Sequence, residues 1–279
     1  MDTIHENENI EALQEDELIP VVTLGAAAIR VARALNEKSD RLEVHDISDI
    51  RADGDAESVQ EFAFTERQPI RFLLYDRSEI GLDVVKASAA SAKAGGRLIA
   101  FEIAAHNEKP QLSWRLGTDV LIRVESEEQC RAAAEALLYI VFSPMTMTLD
   151  AGDVLVLFDG MDVVHVGIGE ATCAQAVCAA ADQALAQLGW KPEFLRGILL
   201  SVAGGESLGM KDLDAATNFL MDRVSEDCNL VFGADIDPAL GDTVRVTLLA
   251  TCGKRKDSHD ASAWMMRMLE EKFEDGENG

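Results

Sequence analysis

The chain has no apolar run approaching the ~20 residues a membrane-spanning helix requires. Its opening stretch, MDTIHENENIEALQEDEL, is acidic where a secretory leader would be basic and then apolar. Basic residues are scarce: 25 Lys and Arg stand against 50 Asp and Glu, a net charge of -25. That excess repels nucleic-acid phosphates and the anionic inner leaflet of a membrane. The expected partners are therefore proteins, the expected compartment is the cytoplasm, and neither nucleic acid binding nor direct membrane insertion is expected. Cysteine is also sparse. Cys130, Cys173, Cys178, Cys228 and Cys252 are odd in number, scattered and without CxxC spacing, as expected for reduced thiols packed as small hydrophobes. The five histidines lie far apart and no HExxH helix is present, so neither a metal nor any other cofactor is expected.

What is present suits a folded protein. With 279 residues, 48% hydrophobic and 27% charged, the chain can bury an ordinary core as one large domain or two modest ones. Residues 19–24 read as a buried strand and 27–35 as a short helix carrying Ile29, Val31, Ala32 and Leu35. Residues 46–67 are polar and acidic and read as loop. Further strands are predicted over 70–75, 97–103 and 120–124. A helix over 84–94 is stopped by Gly95-Gly96, and another runs over 127–142 ahead of Ser143-Pro144. Near-continuous apolar strands alternating with helices imply a parallel sheet covered on both faces.

The second half has a different pattern: strand 163–168, helix 172–188, strand 197–202, helix 213–224, then strands 230–233 and 244–251. The turn-rich Asp235-Ile-Asp-Pro-Ala-Leu-Gly-Asp242 between the last two predicts an antiparallel pair. This half reads as α+β.

Three segments of that half carry a resemblance to a known family. Thr148-Leu-Asp-Ala-Gly-Asp-Val154, Leu200-Ser-Val-Ala-Gly-Gly205, and Asn229-Leu-Val-Phe-Gly-Ala-Asp-Ile-Asp-Pro238 followed by Val244-Arg-Val-Thr-Leu-Leu-Ala-Thr251 are similar to FtsZ, the tubulin-like division GTPase family of bacteria. The resemblance implies an α/β, FtsZ/tubulin-like fold. Its parts would be an acidic tail (1–18), a truncated Rossmann-like GTPase-type domain (19–125), a connecting helix (126–146), an α+β C-terminal domain (147–254), and a linker with an amphipathic tail helix (255–279). It also implies a helix over 154–158, where propensity alone favours a strand.

The first half departs from the family where nucleotide would bind. Gly25-Ala26-Ala27-Ala28 stands where the family has a glycine run, and Asp76-Arg-Ser78-Glu79-Ile-Gly81-Leu-Asp83 stands where it has GGGTGTG. Glycine lets backbone amides approach a polyphosphate, whereas alanine methyls are expected to obstruct it. Three carboxylates, Asp76, Glu79 and Asp83, would add repulsion that Arg77 does not outweigh. The expectation is a chain that binds no nucleotide and has lost GTPase activity.

Asp150 and Asp153 match the loop aspartates that the resemblance assigns to water activation on a neighbouring subunit's GTP. From the residues alone they are a helix cap and a solvated first-turn acid, and that reading is preferred. Thr148 replaces the family's amide residue. Together with Asp150, Asp153, Trp264, Met265, Met268 and Leu269, it forms the candidate partner-binding set, the last four lying on a helical apolar stripe. Gly167-Ile-Gly169 is expected to be a strand-to-helix turn rather than a dinucleotide fingerprint, and Gly204-Gly205 to serve backbone geometry. The leading functional expectation is a pseudo-GTPase acting through association with itself or with FtsZ filaments. A divergent polymerising GTPase and a structural adaptor in another envelope assembly are the alternatives.

Overall fold

The computed structural model describes residues 18–47, 70–93, 96–105, 113–142, 157–158, 163–173 and 175–252. Nine strands form one sheet in the order β2-β1-β3-β4-β5-β6-β9-β7-β8. In the first half these are β1 (Ile19–Leu24), β2 (Leu42–Asp46), β3 (Ile70–Asp76), β4 (Arg97–Ile103) and β5 (Val120–Val124). All five run parallel. Helices α1 (Ala26–Lys38), α2 (Leu82–Lys93), α3 (Ser113–Leu116) and α4 (Glu127–Phe142) make the crossovers. The apolar stripe of α1, from Ala27 and Ala28 through Val31 to Leu35, packs with Ile19, Val21, Phe72 and Leu74 on one face. On the other face Val84, Val85 and Ala89 of α2 pack with Val22, Leu73 and Ala100. Alternate strand residues thus feed two cores, which is why these strands read as unbroken apolar runs.

The second half continues the sheet with β6 (Val164–Ala171), β7 (Leu195–Gly204), β8 (Asn229–Ile236) and β9 (Val244–Cys252), joined by α5 (Ala176–Gln187) and α6 (Met210–Met221). The seam between the halves is narrow: β5 pairs β6 only at Ile122↔Val164 and Arg123↔His165. The core crosses it nonetheless, since Val164, Val166, Leu199 and Leu249 pack with Leu137 and Ile140 of α4.

Two features depart from the expectations. The segment ahead of the expected 46–67 loop, to which the sequence assigns no element, is not irregular. Leu42-Glu-Val-His-Asp46 forms edge strand β2, whose mixed polarity follows from having only one neighbour. Nor do β8 and β9 pair with each other. β9 lies antiparallel between β6 and β7, while β8 lies parallel to β7 at the edge. Burial accounts for this, because the last seven residues of β9 are buried and need neighbours on both sides, whereas β8 is largely half-exposed.

Gly167 and Gly169 also sit inside β6 rather than in a turn. A Cβ at Gly167 would lie 2.0 Å from the Ala184 carbonyl oxygen, and one at Gly169 would lie 1.9 Å from that of Ala180. The glycines let α5 lie directly on the strand. From there the side-chain oxygens of Gln187 and Gln183 accept hydrogen bonds from the Ile168 and Glu170 amides at 3.0 and 3.2 Å, at the edge that β5 does not reach.

Candidate functional site

The chain enters β1 and leaves toward β2 on one side, while β3 pairs on the other. Open α/β sheets present ligands at such a switch point, beyond the carboxyl ends of the strands. Here those ends are Gly25 after β1 and Asp76 at the end of β3, brought together by the Leu24↔Tyr75 register.

Gly25 has φ +94°, a backbone conformation that side-chain-bearing residues rarely adopt, and it turns the chain directly into α1. An N-terminal helix end offers unpaired amides and a positive dipole to an anion. That position is taken from within. The Ala26 amide donates to Glu79 Oε2 at 2.7 Å, across 53 residues of sequence. A Cβ built on Gly25 would lie 2.9 Å from the same oxygen, so the carboxylate rests against the glycine.

The other predicted residues take different roles. Asp76 turns back on its own loop, its Oδ1 accepting from the Ser78 amide at 2.9 Å and the Ser78 hydroxyl at 2.6 Å. Gly81 starts α2, its carbonyl accepting from the Val84 amide at 3.1 Å. Asp83 pairs with Lys86 at 3.3 Å on an exposed turn, so it does not join a three-carboxylate cluster. The methyls of Ala27 and Ala28 also do not obstruct the crevice. Both are buried in the core below α1 and only Ala26 is exposed. The occupant of the cradle is therefore Glu79, not the alanine run.

Beside the cradle lies a buried ionic cluster that the sequence reading did not single out. Glu102 of β4 is fully buried; its Oε1 accepts from Tyr75 Oη at 3.1 Å and Arg77 Nη1 at 3.3 Å, and its Oε2 accepts from Arg123 Nη1 at 3.3 Å. Arg123 Nη2 also donates to the Ala105 carbonyl at 3.0 Å. Burial, with the nearby Glu102 charge, drives the Tyr75 hydroxyl well above its usual pKa and keeps it a proton donor. Arg77 is thus committed to Glu102. A charged residue inside each of the apolar runs 97–103 and 120–124 was the available signal. Outside, Arg30 of α1 grips Glu127 at the start of α4, its Nη2 at 2.6 Å and Nε at 3.0 Å.

A cavity of about 530 Å3 lies between α1, α4 and the strands β7, β8 and β9. Asp235 lines it. Burial first, then the neighbouring Asp237 and Glu135, raise its pKa against the opposing pull of Lys38. Thr148, Asp150, Asp153, Trp264, Met265, Met268 and Leu269 lie outside the described residues. Of the 154–158 segment, Leu157 and Phe158 are described; both have helical backbone and both are buried.

Residues 162–254 match the sequence profile of the FtsZ family C-terminal domain. The cell division protein FtsZ of Caulobacter vibrioides is 28% identical over 129 residues, which cover 45% of this chain but 25% of that relative. Among solved structures, the empty FtsZ dimer of M. jannaschii superposes with a TM-score of 0.70 at 16% identity, covering 85% of this chain and 89% of that one. CetZ from Methanosaeta thermophila strain DSM 6194 gives 0.61 at 12% identity, with 94% and 93% covered. The GDP-bound CetZ1 monomer of Haloferax volcanii gives 0.59 at 11%, with 93% and 100% covered. At these identities the superpositions speak to fold alone.

Proposed function

For a chain that is FtsZ/tubulin-like in fold, and FtsZ-like in sequence over its second half, we propose a cytoplasmic pseudo-GTPase acting through protein association, with itself or with FtsZ filaments, without hydrolysing GTP. The carrying observation is the Glu79 carboxylate on the Ala26 amide at 2.7 Å. A phosphate brought to that helix end would displace a bound carboxylate, and it would also stand near Asp76. Two like charges ~4 Å apart repel by roughly 4 kcal/mol near a protein surface. The C-terminal half, by contrast, keeps the family's sequence pattern, which supports a role in association.

Calorimetric titration with GTP tests the loss of the site, the expected result being no heat of binding. Micromolar binding would overturn it. Co-sedimentation with FtsZ polymers tests the association. Co-pelleting or a change in polymer mass is expected, and an unaffected pellet together with a monomeric chain in solution would count against it. A second reading, a polymerising GTPase, draws on the preserved switch-point crevice between β1 and β3. The same titration separates the two.

A further inference from the structure

We infer that the outer edge of β8 is a self-pairing surface: two copies of the chain join there antiparallel, about a two-fold axis through Gly233, so that their sheets run on as one. The inference rests on the association reading and names its surface and its partner, a second copy.

Three observations carry it. First, β8 lacks the protection that sheet edges usually have. Its eight residues, Asn-Leu-Val-Phe-Gly-Ala-Asp-Ile, include no proline, lysine or arginine and a single charge, Asp235. Sheets blunt their edges with charge, proline or a covering element, and a long apolar edge is a template for another strand. The opposite edge, β2, is five residues long and carries Glu43, His45 and Asp46, and the rim of β6 is met by Gln183 and Gln187. Second, the apolar side chains of β8 are incompletely covered. Leu230, Val231 and Phe232 are half-buried and Ile236 is 44% exposed. Third, its outward groups stand in self-complementary order. Asp237 donates its amide to the Gly204 carbonyl of β7 at 2.9 Å, so by alternation along the strand Val231, Gly233 and Asp235 also address β7. Leu230, Phe232, Ala234 and Ile236 then address the outside, where no strand among the described residues pairs with them. The Ile236 amide is also within reach of the Asp235 carboxylate. A two-fold through Gly233 sets Phe232 against Ala234 of the second copy and Leu230 against its Ile236. Every outward residue is thereby matched, and apolar side chains meet apolar side chains, the pairing that stabilises sheets. On the other face Gly233 meets its counterpart and Asp235 meets Val231, so no like charges stand directly opposed. The acids around the edge, Asp227, Asp235 and Asp237, share one sign with the chain's net charge of -25. Two copies therefore repel at long range, and their association depends on screening by salt.

The test combines sedimentation velocity of the full chain over a concentration series with residue-resolved amide hydrogen exchange. The parent is expected to pass from monomer to dimer as its concentration rises. It should dimerise more tightly when NaCl is raised from about 50 to about 500 mM, because salt screens the repulsion between copies. In the dimer the amides of Leu230, Phe232 and Ala234 should exchange far more slowly than in the dilute monomer. Those of Val231, Gly233 and Asp235, which address β7, should be protected in both. Ile236→Lys, at the most exposed apolar position of the strand, should weaken dimerisation about tenfold, since two cross-strand pairs are lost per dimer. Four results overturn the inference: a parent that is monomeric throughout, an oligomer whose β8 amides exchange as in the monomer, an association that loosens with salt, or a folded Ile236→Lys variant that dimerises as tightly as the parent. The exchange measurement is made on the parent and decides the matter even where the variant fails to fold. A monomeric chain that still co-pellets with FtsZ polymers sinks this inference and leaves the association reading standing, so the two failures are distinguishable.

Discussion

At the scale of single residues, burial decides which groups respond to solvent. Asp235 has a raised pKa, so the native state holds its proton more tightly than the unfolded chain does. The stability it contributes is fully present below the unfolded value of ~3.9 and is lost as pH rises through the native value. Asp235→Asn should therefore raise Tm at pH 7, by roughly 1 to 2 °C because solvent screens a half-buried group. The gain should vanish in melts near pH 4. The thiols divide in the same way. Cys130 and Cys252 are buried, and burial pushes Cys228 up to about 11, while Cys173 is exposed. Brief iodoacetamide treatment of the native protein followed by peptide mass spectrometry should label Cys173 and spare those three. Glu102 is a fully buried charge. Glu102→Gln removes the buried carboxylate with which Arg77 and Arg123 pair and should cost about 3 kcal/mol in urea unfolding.

At the scale of elements, the strands with two neighbours and the long helices could be read from the sequence, since apolar runs and alanine-rich stripes record burial directly. Edge strand β2 could not. Glu43 and Asp46 are exposed within a strand of low apolar content, and that composition resembles loop. The placement of β9 also escaped, because a turn between two strands in sequence does not say whether a third strand lies between them. At the cradle, the residues at fault were half legible. Glu79 could be named as a carboxylate near the nucleotide position, but its partner lies 53 residues away and no local pattern encodes such a pairing. The burial of Ala27 and Ala28 was encoded in the stripe of α1. The paired glycines of β6 explain themselves only once α5 is in place. Gly169→Ala would put a methyl 1.9 Å from a backbone oxygen and should destabilise by about 2 to 3 kcal/mol in denaturant unfolding. Gly209→Ala meets nothing within 4 Å and should change stability far less.

At the scale of the molecule, the halves are joined more by packing than by strand pairing. Two residue pairs link β5 to β6, yet Leu199 and Leu249 of the second half share a core with α4. A fragment beginning at residue 157 would leave that apolar face uncovered, whereas one beginning at residue 127 would carry α4 with it. Only the longer fragment should give a cooperative melt, and the shorter should bind a dye for exposed apolar surface. The free rim of β6 beyond β5 bears on how such a molecule behaves in a crowd. The Ile168 and Glu170 amides there are already answered by Gln187 and Gln183 from above, so a stray extended peptide finds fewer donors to pair with. Fibrous clumping at that rim is opposed by two amide groups reaching down from a neighbouring helix.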